Sequence, residues 1–311
     1  MTTLLVTHPA YARHETPRGH PERVDRILAV EAVLATPLFD GLERVQAPEA
    51  SIEMIEACHP RAYIDTLQRL SPHDDEGLAQ LDGDTSMSSG SFEAALRGAG
   101  GATLAVDHVM TGKARNAFSA SRPPGHHAEP QRAMGFCLFN NVAIAARHAQ
   151  KTHGAERVAI LDFDVHHGNG TQAIFWNDPS VLYASTHQMP LYPGTGAPGE
   201  TGEAGTIVNA PLRPGQGGSE FREAMQSLIL PRMQEFAPDL ILISAGFDAH
   251  ERDPLGGLNF VEEDYAWATS VLIDLAARTA GGRIVSVLEG GYDLTALARS
   301  SAVHVATLMQ A

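Results

Sequence analysis

Apolar positions along the chain follow two rhythms. Short unbroken runs stand at residues 4–7, 117–120, 158–162, 181–185, 240–244 and 284–288. Runs of this length predict strands buried on both faces. Between them, apolar residues recur at three- and four-residue steps. Val24, Ile27, Leu28 and Val33 mark one helical stripe behind His20-Pro21-Glu22. Others cover about 91–110, 142–153, 221–236, 262–280 and 295–309. This alternation predicts an α/β fold, an open and mostly parallel sheet flanked by helices. Residues able to do chemistry follow the strands, so a site is expected outside their carboxyl ends. The Pro/Gly-rich stretch 189–218 is expected to be an active-site loop. Nothing in the pattern reads as a repeat or linker, so residues 1–311 are expected to form a single domain.

Composition narrows the function classes. Lys and Arg number 22 against 37 Asp and Glu, a formal net charge of −15. So acidic a chain disfavours nonspecific nucleic-acid binding. The only cysteines are Cys58 and Cys137, which make no disulfide framework and suit a reducing cytosol. The first residues lack the basic and apolar segments of a signal peptide. No apolar run reaches the roughly 18 residues of a membrane span. A cytoplasmic protein is expected. Oligomeric state is not legible.

The densest chemistry follows the run 158–161. In Asp162-Phe163-Asp164-Val165-His166-His167-Gly168-Asn169-Gly170, alternate side chains of an extended backbone share a face. Asp162, Asp164 and His166 therefore converge at a strand end, as carboxylate and imidazole do in metal sites. Four further pieces also sit at junctions: Arg122-Pro123-Pro124-Gly125-His126-His127-Ala128, Ser244-Ala245-Gly246-Phe247-Asp248, Leu288-Glu289-Gly290-Gly291-Tyr292-Asp293, and Gly135-Phe136-Cys137 opening a helix. Taken singly, Asp248 reads more readily as a helix N-cap. Tyr292 reads as a packing residue and Phe136 as core.

Together these segments resemble the zinc-dependent histone deacetylase family of the arginase/deacetylase fold, and its class II branch most closely. The resemblance runs from His20-Pro21-Glu22-Arg23 to the Tyr292 motif. Its most specific matches are RPPGHHAEP at 122–130, GFCLFNN at 135–141, DFDVHHGNGTQ at 162–172, SAGFDAH at 244–250, DPLGG at 253–257 and LEGGYD at 288–293. It implies hydrolysis of the acetyl amide of acetyl-lysine or an acetylpolyamine. It implies Asp164, His166 and Asp248 as metal ligands, with zinc the first choice and Fe(II) the rival. Such an ion would polarise the acetyl carbonyl and activate the attacking water.

By motif position, Asp162 partners His126 and Asn169 partners His127. An anion beside His126 favours its protonated form, while a neutral amide leaves His127 easier to deprotonate. His127 is thus expected as general base and His126 as electrostatic stabiliser. Tyr292 is expected to donate to the oxyanion, with Gly290 and Gly291 giving the tyrosine freedom to approach the metal. Gly135, Phe136, Tyr192, Leu255, Gly290 and Gly291 are assigned to an acyl-lysine tunnel. Tyr192 stands where the family usually has a wall phenylalanine. Asp84 aligns loosely with a rim aspartate. Structural potassium is implied at Asp162, Asp164, His166, Ser185 and Thr186, and at carbonyls of Phe175, Asp178 and Val181.

Two alternatives fit less well. A dinuclear ureohydrolase needs more carboxylate ligands than these motifs offer. A non-catalytic acyl-lysine binding module would be expected to have lost a ligand, a paired histidine or Tyr292. For substrate, Leu255 stands where some polyamine-selective relatives carry glutamate, which favours acyl-lysine. Glu15, Asp84 and Glu251 remain as anions able to meet a polyamine.

Overall fold

The computed structural model describes residues 2–74 and 76–311. Among the described residues there are ten strands: β1 Thr3–Thr7, β2 Glu43–Gln46, β3 Ala79–Gln80, β4 Ser86–Met87, β5 Asn116–Ser119, β6 Val158–Asp162, β7 Val181–Gln188, β8 Ile207–Leu212, β9 Leu240–Ala245 and β10 Ile284–Leu288. Eight of them form one sheet in the order β2-β1-β5-β10-β9-β6-β7-β8. Every pair in it is parallel. β3 and β4 make a separate antiparallel pair.

The helices are α1 Val24–Leu34, α2 Ile52–Glu56, α3 Arg61–Leu70, α4 Ser91–Met110, α5 Asn141–His153, α6 Asn169–Phe175, α7 Gly218–Ala224, α8 Leu230–Phe236, α9 Glu262–Thr279 and α10 Leu294–Met309. α4 packs on α5, while α1 and α9 pack on α10, and both groups reach the sheet. Such cover explains why β5, β6, β7, β9 and β10 are buried at every position. The parallel register sets Asp162 opposite Ser244, and Leu288 opposite Ala245. The loops leaving β6, β9 and β10 therefore start at one level, on the carboxyl side of the sheet, where open α/β sheets build sites.

The six central apolar runs became strands. The two sheet edges did not announce themselves. β2 reads Glu-Arg-Val-Gln and is largely exposed. β8 lies inside the stretch expected to be loop, so 189–218 is loop only in part. Its Asn209 and Pro211 mask the strand pattern, and an edge tolerates proline because one side needs no ladder bond. The expected helix 221–236 is divided by a π-helical turn at Met225–Ile229, just before Pro231. The expectation that Gly135-Phe136-Cys137 opens a helix is corrected. α5 begins at Asn141, capped by the Asn140 side chain on Ala143 N. Among the described residues, no helix is long and apolar enough to cross a membrane.

Candidate active site

The chain leaves β6 through two successive carboxylate-to-backbone turns. Asp162 Oδ1 accepts from Asp164 N at 3.1 Å, and Asp164 Oδ1 accepts from His166 N at 2.9 Å. Asp side chains bond their own backbone two residues on in this way. Strand geometry ends at Asp162, so this curl, rather than an extended backbone, brings Asp164 and His166 together. Asp248 arrives from the loop after β9 and heads no helix, which removes the N-cap reading. Its Oδ1 accepts from Val165 N at 2.8 Å. Its Oδ2 lies 3.1 Å from His166 Nδ1, and Asp164 Oδ1 lies 3.1 Å from the same nitrogen.

These three residues form a buried group whose ligand atoms all lie within 4.8 Å of one another. Ligand atoms about 2.0–2.2 Å from a tetrahedral zinc stand about 3.3 Å apart, close to the separations here. Electrostatics point the same way. Burial and the neighbouring Asp164 charge push Asp248 up to about 7. Burial opposes ionisation of Asp164 too, but His126 and His166 outweigh it and hold that carboxyl low. Two buried carboxylates facing one imidazole are the complement of a divalent cation. The residues fit the metal.

Gly290 has a steric rather than a flexible role. Its N–H donates to Asp164 Oδ2 at 2.9 Å. A Cβ at this position would collide with the carboxylates of Asp164 and Asp248. Gly290 thus lies against the ligands, Gly291 lies against Leu297 and Phe247, and neither is among the residues lining the cavity.

His126 and His127 sit side by side, ring centroids 4.0 Å apart. His126 Nδ1 lies 2.9 Å from Asp162 Oδ2, and His127 Nδ1 lies 2.8 Å from Asn169 Oδ1. Burial disfavours charge on both rings. For His126 the carboxylates of Asp162 and Asp164 outweigh burial and hold the pKa up at about 10. For His127 burial prevails, reinforced by His126 and His166, and the pKa falls well below the usual imidazole range.

A cavity of about 230 Å³ opens onto this centre, lined by Asp84, His127, Gly135, Phe136, His166, Leu191, Tyr192, Leu255 and Tyr292. Gly135 and Phe136 both take left-handed backbone, with φ of 56° and 70°. A Cβ on Gly135 would strike the His127 ring, so only glycine lets this wall lie against the histidine. The Phe136 ring meets Tyr292 edge-on at 5.8 Å, and Tyr192 meets His127 edge-on at 5.2 Å. Thr85 ties rim to wall: its hydroxyl donates to Asp84 Oδ1 and accepts from Phe136 N. Burial holds the Tyr292 hydroxyl pKa well above its usual value, so it keeps its proton.

Sequence reading missed the residues that brace this centre. Glu289 Oε2 accepts from Gly125 N at 2.6 Å and His126 N at 3.1 Å, and Oε1 accepts from Ser244 Oγ at 3.2 Å. It pins the histidine loop to two strand ends. Asp253 accepts from Tyr292 N at 2.7 Å and Leu255 N at 2.9 Å. Arg26 donates to the carbonyls of Glu289 and Gly291, and its guanidinium stands 4.9 Å over the Tyr292 ring. Glu289 and Asp253 lie within the quoted motifs, a signal that could have found them. Arg26 had none. Of the positions assigned to potassium, Ser185 lies opposite Asp162 in the sheet, and the Thr186 hydroxyl is buried without a partner. The Phe175 and Asp178 carbonyls accept from Asp178 N and Thr206 Oγ1.

A parallel sheet with a buried carboxylate–imidazole group at its carboxyl edge, beside paired histidines and a tyrosine, carries the side chains that a metal-site hydrolase would need. The comparisons give the family. A histone deacetylase domain model matches residues 20–308. The histone deacetylase-like amidohydrolase of Pseudomonas aeruginosa is 42% identical over 291 residues, covering 92% of this chain and 74% of that protein. The chloroplastic histone deacetylase 14 of Arabidopsis thaliana is 42% identical over 302 residues, covering 91% and 71%. The crystal structure of the HDA15 HD domain superposes with a TM-score of 0.93 at 36% identity, covering 100% of this chain and 90% of that one. The chain belongs to the histone deacetylase family.

Proposed function

We propose that this protein removes acetyl or short acyl groups from lysine side chains, using one metal ion held by Asp164, His166 and Asp248. The observation that carries the reading is the lining of the cavity. His127, His166 and Tyr292 line one cavity together with Phe136 and Tyr192. A general base, a ligand and an oxyanion donor converge where an acyl carbonyl would arrive. Zinc is the proposed metal and Fe(II) the alternative; held by these three residues, either would supply polarisation of the carbonyl and activation of water.

The chain's own residues account for the rest. His127, neutral at working pH, takes the proton of the attacking water and returns it to the leaving amine. His126, kept protonated beside Asp162, supplies fixed positive charge to the developing anion. Tyr292 donates a hydrogen bond to the oxyanion. Asn169 orients His127, and Asp84 at the rim would accept from the substrate backbone. Potassium at the Asp162–Thr186 and Phe175–Val181 sets would brace the loops, with the unpartnered Thr186 hydroxyl supporting the first. We take residues 1–311 as one catalytic domain acting in the cytoplasm, with both cysteines unpaired and buried. An acetylpolyamine is the second substrate reading, favoured by the Asp84 carboxylate at the cavity.

Removing a ligand tests the core of this reading. Asp248→Ala should lose bound metal and turnover of an acetyl-lysine peptide together, by elemental analysis and product assay. Stoichiometric metal in the catalytic site of that variant would refute the ligand assignment.

A further inference from the structure

A second group of metal-binding side chains lies away from the catalytic centre. Asp107 projects from α4, and His148 and His153 from α5. Asp107 Oδ1 lies 2.7 Å from Nε2 of each histidine, and the three ligand atoms lie within 4.8 Å of one another. The two imidazoles meet edge-on at 5.8 Å. α5 runs away from the active site: its cap, Asn140, reaches the His126 carbonyl, while His153 is its last residue. At 1.5 Å per residue, the twelve steps from Asn141 to His153 span about 18 Å.

We propose that Asp107, His148 and His153 form a second, independent site for a divalent transition cation of the zinc class, clamping α4 to α5. Two imidazoles and one carboxylate form a donor set that zinc accepts, and three protein ligands leave a position for water. Thr152 Oγ1 lies 3.3 Å from His148 Nδ1. By accepting a hydrogen bond from Nδ1–H, that hydroxyl favours the tautomer that leaves Nε2 free to ligate. Solvent reaches the group from the Asp107 side, whose side chain is 40% exposed, while those of His148 and His153 are 7% and 15% exposed. A cavity of about 190 Å³ lies alongside, lined in part by His148 and Thr152. The hydrogen-bonded atoms stand closer than the roughly 3.3 Å between ligands of a tetrahedral zinc, so binding parts them by about half an ångström. A rotation of the half-exposed Asp107 side chain supplies that movement. The competing arrangement is a plain bridge in which Asp107 accepts from two neutral imidazoles and no cation binds.

The test is a zinc titration of enzyme already loaded at its catalytic site, followed by calorimetry and by metal content per chain. A second zinc is expected in the wild type. His153→Ala and Asp107→Asn should abolish it, and Thr152→Val should weaken it by about tenfold. All three variants should keep the wild-type kcat/KM when only the catalytic site is loaded. Asp164→Ala should lose the catalytic metal yet retain this one, and zinc should raise its melting temperature. That rise should vanish when His153→Ala is added. A wild type saturating at one zinc per chain overturns the proposal, as does a second zinc that persists in both ligand variants. Neither result bears on the catalytic assignment.

Discussion

Two neighbouring buried imidazoles are driven to opposite protonation states, His126 by the carboxylates beside it and His127 by burial and the charges of His126 and His166. His126 faces the carboxylate of Asp162, and His127 faces the amide of Asn169. The consequence is a pH profile with two separable limbs. As the proposed base, His127 is neutral above its depressed pKa, so activity should rise with pH below the usual histidine range. His126 stays protonated until its raised pKa near 10, so the alkaline limb should belong to it. Asp162→Asn removes the carboxylate nearest His126. The alkaline limb of kcat/KM should then move to lower pH while the acid limb stays in place. An unchanged alkaline limb would reassign it to another group. Tyr292 makes a cleaner subtraction. Tyr292→Phe keeps the ring edge-on to Phe136 and deletes one donor, and loss of an oxyanion donor costs about 100- to 1,000-fold in kcat. Metal content should hold. Near-wild-type kcat in this variant would leave Tyr292 as packing only.

At the scale of elements, the site rests on a buried ionic brace between α1 and the loops it faces. Glu22 accepts from Arg122 through both oxygens and from Arg26 through one, with all three side chains at most 1% exposed. Arg122 also donates to the carbonyls of Tyr11 and His14, and Arg26 to those of Glu289 and Gly291. Burial alone would raise the Glu22 pKa, but Arg122, His14 and Arg26 outweigh it and hold the carboxyl well below its usual value. A depressed folded-state pKa gives stability that is full above the unfolded carboxylate range and lost as pH falls towards the folded value. Glu22→Gln leaves two buried guanidinium groups short of an anion, a change that costs about 3–5 kcal/mol. Urea unfolding at neutral pH should show this loss, and the gap from wild type should narrow in acid. A gap that stays constant with pH would mean that Glu22 acts by shape.

The motifs flanking this brace were legible because each is a short run of chemistry-bearing residues behind an apolar strand. The brace itself was only half legible. Glu22 stood in a quoted motif, but nothing in the pattern linked it to Arg122, because the link is a tertiary contact between distant residues. The two edge strands were hidden for a related reason. An edge strand has one neighbour, and so carries too little apolar sequence to stand out from a loop.

For the whole molecule, the question is how a chain with a net charge of −15 treats cationic substrates. Its field should draw lysine-rich peptides and polyamines alike, but charges further apart than about 8 Å are largely screened at physiological ionic strength. Steering therefore belongs in the encounter and not in the choice between substrates. The choice should be made at the cavity mouth. Leu255 lends the cavity an apolar side chain, and Asp84 is the one carboxylate among the lining residues. The Asp84 carboxylate already accepts from Thr85 Oγ1. A polyamine must carry a further ammonium past this mouth, and a half-buried cation without a dedicated partner is costly. A peptide leaves its backbone outside in water. Acetyl-lysine peptides should therefore show the higher kcat/KM, with salt raising KM for both substrates and leaving their ratio nearly fixed. Leu255→Glu should shift that ratio towards acetylspermidine. The measurement is kcat/KM for both substrates, on wild type and Leu255→Glu, at matched low and physiological ionic strength. A wild-type preference for the polyamine of about tenfold or more, equivalent to about 1.4 kcal/mol, would overturn the acyl-lysine reading and make Asp84 the ammonium partner.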